Sequence, residues 1–148
     1  MTPGEISLKT VSDRLEIVQT CLEDLRRLPA DTLEEFSSDF RNSGAAESSL
    51  RRAIEALFDL LRHLLSQRYG RGSLEYKEVA SLAAKKGLVQ DPRLAATLME
   101  LAGFRNRLTH FYHEITPEEL YDIIKNELSD LEQIAEELRR SAAQASGA

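Results

Sequence analysis

The chain has 148 residues, of which 42% are hydrophobic and 30% charged, a composition typical of globular rather than disordered proteins. Nineteen basic and twenty-five acidic residues give a net charge of −6, which excludes a uniformly basic coat for nucleic acid but permits a local basic patch. Cys21 is the only cysteine, so neither an internal disulfide nor a cysteine-based zinc site can form. The sequence has no apolar run of membrane-spanning length and no signal-peptide pattern, so we expect a cytoplasmic protein.

Apolar residues recur at helical spacing along the whole chain, and prolines and glycines separate the repeats. The first helix is indicated by the apolar residues from Val11 to Leu25, and a short second one by the capping-box pattern at Asp31–Glu34. The apolar residues from Leu50 to Leu64 indicate a long helix that ends near Gly70 and Gly72, and a shorter helix is expected from Ser73 to Lys86, before Gly87. A further helix is expected from Pro92 to Phe111, and a last one carries the apolar residues from Leu120 to Leu138 after a start signal at Thr116. No strand pattern and no internal repeat compete with this assignment.

These elements predict an all-α protein, an up-and-down bundle of four main helices with one or two short extra helices. We assign residues 1–140 to a single helical domain. Residues 141–148 are small and polar, so we expect a disordered tail there.

Positive charge is concentrated in two parts of this acidic chain. Residues 41–71 hold six arginines against three acids, and residues 101–115 add two arginines against one acid. The guanidinium group suits phosphate geometry, and the candidate phosphate contacts are Arg107, Arg51, Arg52 and Arg62. The alternative is that these arginines form solvated faces with pairs along a helix, such as Glu55 with Asp59 beside Arg62.

The polar residues that follow Gly103 are crowded onto one predicted helix. On an ideal helical wheel, Leu108, Phe111 and Ile115 lie within about 40° of Phe104 and form its core stripe. Arg105 falls on one flank of that stripe.

Tyr112 shares the flank of Arg105, about 20° away, so its hydroxyl is expected beside the guanidinium. Asn106, His110 and His113 share the opposite flank. A straight helix therefore does not bring Arg105 and His110 together. Either the helix breaks near Gly103 or at the end of the motif, or a second copy of the chain completes the site.

An arginine paired with a histidine suits the cleavage of phosphodiesters. The guanidinium stabilises the charge of a pentacovalent transition state, and the imidazole transfers a proton near neutral pH. Because the sequence offers no set of metal ligands, the 2′-hydroxyl of RNA is the natural nucleophile.

The residues Arg105, His110 and Tyr112, with Asn106 directly after the arginine, resemble the R-x4-H-x-Y motif of HEPN domains. Within that group the chain resembles the HepT toxins of prokaryotic HEPN/MNT toxin–antitoxin pairs, of type VII. The resemblance covers most of the chain, since its length, its helical character and the position of the motif before the last long helix all agree.

The resemblance implies a metal-independent endoribonuclease without a cofactor, acting as a homodimer whose two motifs face a shared cleft. It implies Arg105 and His110 as catalytic residues, with Asn106 and Tyr112 in supporting roles. The RNA substrate would be tRNA or mRNA, leaving a cyclic phosphate. The implied partner is an MNT-type nucleotidyltransferase antitoxin that attaches AMP to Tyr112.

A second reading is a non-catalytic helical partner that presents substrate to a minimal nucleotidyltransferase, and a third is a purely structural bundle. The intact motif favours the enzyme, because a docking module has no chemical need for Arg105, His110 and Tyr112 together. Apolar positions left over from the core, such as Phe58 and Leu65, are expected in the dimer interface.

Four other residues have ordinary structural interpretations. His63 is expected to be a packing histidine, and Cys21 a core residue. Tyr76, like Tyr69 before it, is expected to cover a helix end, although either ring is also able to stack on a base.

Overall fold

The structure, a computed structural model, describes residues 6–69 and 75–147, and these two segments contain no β-strand. They form α1 (Leu8–Arg26), α2 (Leu33–Ser37), α3 (Phe40–Tyr69), α4 (Tyr76–Lys85), α5 (Pro92–His110), a 3₁₀ helix (Tyr112–Glu114), α6 (Pro117–Asn126) and α7 (Leu128–Gly147). The predicted all-α class is confirmed, with α1, α3, α5 and α7 as the four main helices. The short elements are three α-helices and a 3₁₀ helix rather than one or two. The predicted connection at Gly70 and Gly72 and the start at Ser73 lie outside the described residues.

Capping side chains begin the two helices on either side of the motif. The carboxylate of Asp91 accepts a hydrogen bond from the Arg93 N–H at 2.9 Å and starts α5. The hydroxyl of Thr116 accepts one from the Glu119 N–H at 3.2 Å and starts α6. A proline at the first helical position follows each cap, as the sequence pattern indicated.

The hydrophobic core is one cluster to which every α-helix contributes, with α3 supplying the largest share. Phe58 and Leu65 on α3 are fully buried inside it, so the prediction that they remain free for a dimer interface is wrong. The reason is α4: the ring of Tyr76 covers Phe58, with ring centroids 4.8 Å apart.

The predicted long final helix is divided at Glu127 into α6 and α7, which corrects the prediction of one continuous helix over Leu120–Leu138. The backbone of Glu127 departs from helical geometry, with φ −119° and ψ −9°. The break lets the two parts pack on different neighbours: α6 contacts α2 and α3, whereas α7 contacts mainly α1 and α5.

The end of α7 corrects a second expectation. The helix continues to Gly147, so residues 141–147 are not the disordered tail that their composition indicated. Ala142 is 1% exposed and belongs to the core, because it continues the apolar stripe of Leu138 one turn further. The single-domain extent assigned to residues 1–140 remains a prediction.

Two residues with structural interpretations are found in such roles. The Ser7 N–H donates a hydrogen bond to Nε2 of His63 at 3.0 Å, which ties the start of α1 to α3. Burial lowers the pKa of His63, which favours the neutral acceptor form. Cys21 lies in the core at 2% exposure, and burial raises the pKa of its thiol. Within the described segments, no helix combines the length and apolarity needed to cross a membrane.

Candidate active site

The motif lies at the C-terminal end of α5. The helix ends at His110, and Phe111 leaves helical geometry with φ −134° and ψ 40°. The 3₁₀ helix then turns the chain towards α6. The helix does break at the end of the motif, but the break follows His110, so it leaves Arg105 and His110 on one helix and does not bring them together.

The break changes the core stripe that the helical wheel predicted. Phe104 and Leu108 are buried as expected, at 6% and 9% exposure. Phe111 is 51% exposed, so its assignment to the core is wrong. The wheel assumed a helix continuous through residue 115, and the turn at Phe111 directs this ring away from the core.

Arg105 faces inward, towards α3 and α4. Its Nη2 donates to Oε2 of Glu55 at 3.1 Å, and its Cζ lies 4.3 Å from the ring centroid of Tyr76. The side chain is 20% exposed, and its Nε is buried without a hydrogen-bond partner. The guanidinium is thus held by an acid from α3 and an aromatic ring from α4.

Of the four candidate phosphate contacts, Arg62 shares a neighbour with Arg105. Its Cζ lies 4.5 Å from the centroid of the same Tyr76 ring. Its Nη1 also lies 3.9 Å from a carboxylate oxygen of Asp59, one turn before it on α3. The guanidinium groups of Arg62 and Arg105 therefore contact the same aromatic ring, that of Tyr76.

His110 and Tyr112 lie at the exposed end of the motif. Tyr112 is 66% exposed, and its ring meets His113 edge-on with centroids 6.1 Å apart. The argument that put the Tyr112 hydroxyl beside Arg105 fails, because it required a helix continuous through residue 112. Arg105 and His110 do lie on one helix, five residues and about 140° apart, so they project in different directions.

Asn106 and Arg107 line a cleft of about 660 Å³ between α5 and α6. Arg107 donates to Glu119 across it, and this hydrogen bond raises the pKa of the Arg107 guanidinium above its ordinary value. The remaining lining residues are Lys77, Glu100, Gly103, Phe104, Phe111, Asp122, Ile123, Asn126 and Glu127. The excess of carboxylates makes this cleft unfavourable for phosphate.

One carboxyl group of the cleft is perturbed. Burial, together with a hydrogen bond to Glu100 and the negative charges of Glu100 and Asp130, raises the pKa of Glu127 to about 7. Glu127 is the residue at which α6 and α7 separate, so the break places a group that titrates near neutrality in the wall of the cleft.

The two other candidate phosphate contacts, Arg51 and Arg52, are exposed on α3. Arg52 donates from Nε to the Ser48 carbonyl at 3.4 Å and lines a groove with Asp24 of α1 and Arg27, the residue that follows α1. That groove shares no lining residue with the cleft of Asn106 and Arg107.

The sequence alone missed the partners of the two motif arginines. The spacing groups Glu55 with Asp59 and Arg62 on its own helix, whereas Glu55 binds Arg105, fifty residues away. The sequence predicts only that Tyr76 covers a helix end, and it gives no sign that Glu119 contacts Arg107. The seven-residue spacing of Glu55 and Arg62 does show that both lie on one face of α3, but it does not identify a partner on α5.

Residues 18–138 match the family described as ribonuclease HepT-like. The chain therefore belongs to the HepT-like family, which confirms the resemblance drawn from the motif. Two curated relatives are similar to this chain at low sequence identity. The "tRNA nuclease HepT" of Aphanizomenon flos-aquae is 27% identical over 112 residues, 75% of each chain. The "mRNA nuclease HepT" of Shewanella oneidensis is 22% identical over 129 residues, 87% of this chain and 96% of the relative.

Solved structures share the fold. The tri-AMPylated Shewanella oneidensis HEPN toxin, solved in complex with its MNT antitoxin, is 21% identical with a TM-score of 0.80, over 90% of this chain and 99% of the toxin. The cytosolic protein YutE of Bacillus subtilis, of unknown function, is 17% identical with a TM-score of 0.80, over 97% of this chain and 95% of YutE. At these identities the likeness concerns the fold.

Proposed function

We propose that this protein is the toxin of a HEPN/MNT toxin–antitoxin pair and acts as a metal-independent endoribonuclease. The observation that carries the proposal is the R-x4-H-x-Y motif, which lies at the open end of α5 in a chain of the HepT-like family. His110 is accessible there, and Arg105, five residues earlier on the same helix, is held by Glu55. The curated relatives named as tRNA and mRNA nucleases support RNA as the substrate class.

In the proposed reaction, the 2′-hydroxyl of the RNA attacks the adjacent phosphorus as His110 removes its proton. Arg105 binds the non-bridging oxygens and stabilises the additional negative charge of the pentacovalent transition state. The bond from phosphorus to the 5′-oxygen breaks, this oxygen takes a proton from water, and His110 returns its proton to solvent; the products are a 2′,3′-cyclic phosphate and a 5′-hydroxyl. Asn106 supports the site from the wall of the adjoining cleft.

A homodimer provides a way to combine the two catalytic groups. Arg105 and His110 project about 140° apart from a single α5, so we propose that the arginine of one copy acts with the histidine of the other across a two-fold axis. Phe111, inside the motif, is a large hydrophobic side chain that is 51% exposed. It replaces Phe58 and Leu65 as the candidate for that interface.

RNA cleavage by the purified protein tests the activity. We expect wild-type protein in EDTA to cut RNA and to leave cyclic phosphate ends, and His110→Ala to reduce cleavage at least about 100-fold. The variant is expected to remain folded, since His110 is exposed. Intact RNA after incubation with wild-type protein would refute the ribonuclease and favour the non-catalytic partner.

Mixing two inactive variants tests the composite site. A heterodimer of Arg105→Ala with His110→Ala retains one wild-type arginine facing one wild-type histidine only if these residues come from different copies. We expect the mixture to recover part of the activity, and light scattering to give twice the mass of one chain. An inactive mixture of well-formed heterodimers would place both groups in one copy.

Control by the antitoxin is proposed to act through Tyr112. The phenol is 66% exposed on the 3₁₀ helix, where an enzyme can reach it. Its oxygen would attack the α-phosphorus of ATP bound to the nucleotidyltransferase, so that pyrophosphate leaves and AMP stays on the tyrosine. The added phosphate and nucleoside would then cover the open end of the motif. The AMPylated toxin in the Shewanella oneidensis complex supports this form of control.

Co-expression with the nucleotidyltransferase tests the modification. We expect the intact mass to rise by one or more AMP units and ribonuclease activity to disappear. Tyr112→Phe is expected to block attachment at that position and to leave growth inhibition in the presence of the partner. Neutralisation without any adduct would replace AMP attachment by occlusion through binding.

A further inference from the structure

Tyr76 is the meeting point of three side chains from two other helices. Its ring centroid lies 4.8 Å from that of Phe58, 4.5 Å from Cζ of Arg62 and 4.3 Å from Cζ of Arg105. The residue is 9% exposed, so the ring is a fixed part of the core rather than a mobile surface group. Its position on α4, supported by Phe58, determines where both guanidinium groups lie.

Carboxylates of α3 lie beside both arginines at the ring. The face of an aromatic ring attracts a guanidinium group, and this attraction strengthens when water is excluded. Glu55 lies beside Arg105, and Asp59, four residues further on, lies 3.9 Å from Arg62 and also 3.6 Å from Arg14 of α1. Two like charges are therefore kept near each other by one ring and two acids.

These contacts leave Arg105 with few ways to rotate. Glu55 accepts a hydrogen bond from Nη2, and the ring of Tyr76 covers a face of the guanidinium. A guanidinium has five N–H donors in one plane, so fixing that plane also fixes the direction of the donors at Nη1. A phosphate approaching Arg105 meets donors that already have a defined orientation.

We propose that Tyr76 is a positioning residue for the motif arginine. Its ring, together with Glu55, fixes the guanidinium plane of Arg105 and holds Arg62 close by as a second contact for the RNA backbone. The inference rests on the proposed ribonuclease function and adds to it a part of the site that lies on α4. Preorganised donors act mainly on the transition state, so the loss of the ring should lower kcat more than it raises KM.

Two substitutions at Tyr76 separate the ring from the hydroxyl. Tyr76→Phe retains the aromatic face and is expected to keep kcat within about threefold of wild type. Tyr76→Leu retains apolar volume without the aromatic face and is expected to lower kcat at least about tenfold, since small misplacements of a catalytic group have large effects. If Tyr76→Leu is as folded as wild type by circular dichroism and keeps its kcat, the proposal is wrong.

Glu55→Gln provides a variant that does not depend on core packing, because the Glu55 side chain is 37% exposed. It removes the ion pair with little change of shape, and we expect a loss of kcat between those of the two Tyr76 variants. If Tyr76→Leu fails to fold, an unchanged kcat in Glu55→Gln refutes the positioning role.

A spectroscopic measurement tests the geometry without RNA. The ring current of Tyr76 should move the Hε resonance of Arg105 upfield in wild-type protein and in Tyr76→Phe, and Tyr76→Leu should return it towards its ordinary position. An Arg105 Hε signal that is unshifted in wild type overturns the inference even if the enzyme is active. Conversely, shifted signals in a protein that cuts no RNA would refute the ribonuclease and leave the orientation of Arg105 established.

Discussion

The two ends of the motif are built in opposite ways. Arg105 is enclosed by α3 and α4 and contacts Glu55 and Tyr76. His110 and Tyr112, one turn or two further on, are exposed where α5 ends. The chain itself therefore completes the environment of the arginine, whereas the side chains of the histidine and the tyrosine face solvent. This difference matches the proposal of a site that is shared between copies and modified by a partner.

The strongest test of the comparison is a pair of phenylalanine truncations. Phe58→Ala, behind Tyr76, should lower the free energy of unfolding by about 3–5 kcal/mol, because Phe58 is fully buried. Phe111→Ala, at the exposed end, should change the free energy of unfolding of the monomer by less than about 1 kcal/mol. Urea denaturation at one fixed protein concentration, dilute enough to keep the protein monomeric, measures both, and equal losses would show that the exposed end is as closely packed as the enclosed one.

Arg105→Lys sharpens the comparison at the enclosed end. Lysine keeps the charge but lacks the planar group that lies on Tyr76 and pairs with Glu55, so we expect cleavage to fall about 100-fold. Arg139→Lys is the matched control, since Arg139 is exposed on α7 and pairs only with Glu136 in the described contacts. Cleavage rates of the two variants at equal thermal stability decide the point, and similar rates would show that charge alone is sufficient at position 105.

Glu127 provides a smaller test, in the cleft beside the exposed end. Its pKa is raised from 4.5 to about 7, so the fold favours the protonated carboxyl. The stability that it contributes is complete below about pH 4.5 and is lost as the pH rises through 7. Because the group is only half-buried, we expect Glu127→Gln to be more stable than wild type by about 1 kcal/mol at pH 8 and nearly equal at pH 4.5. A constant difference across that range would contradict the raised pKa.

Local signals in the sequence were sufficient for much of the fold. Asp91 and Thr116 cap the helices that they were expected to begin, because a cap depends on residues within one turn. The division at Glu127 was not predictable from spacing, since the apolar stripe continues through it. It arises from the different neighbours of α6 and α7, which is tertiary information.

The candidate site shows the same limit. The motif identified Arg105 and His110 directly, but the helical wheel extended a straight helix past His110 and misplaced Phe111 and Tyr112. The contact between Arg105 and Glu55 joins residues fifty positions apart, and a single sequence contains no signal for such a pair. The spacing of residues in the chain was therefore enough to find the motif, whereas the contacts of its side chains depend on tertiary packing.

The turn at Gly87 joins the helix that carries Tyr76 to the helix that carries Arg105. Its φ of 75° lies in the left-handed region, yet a Cβ built there would meet no heavy atom within 4 Å. Space and conformation are thus separated at this position: a larger residue fits, but an L side chain strains the backbone. Alanine there should cost about 1 kcal/mol for conformational reasons alone. In related chains, backbone geometry should then decide which amino acids are tolerated at position 87. Glycine and asparagine should be favoured there, whichever side chains surround the turn.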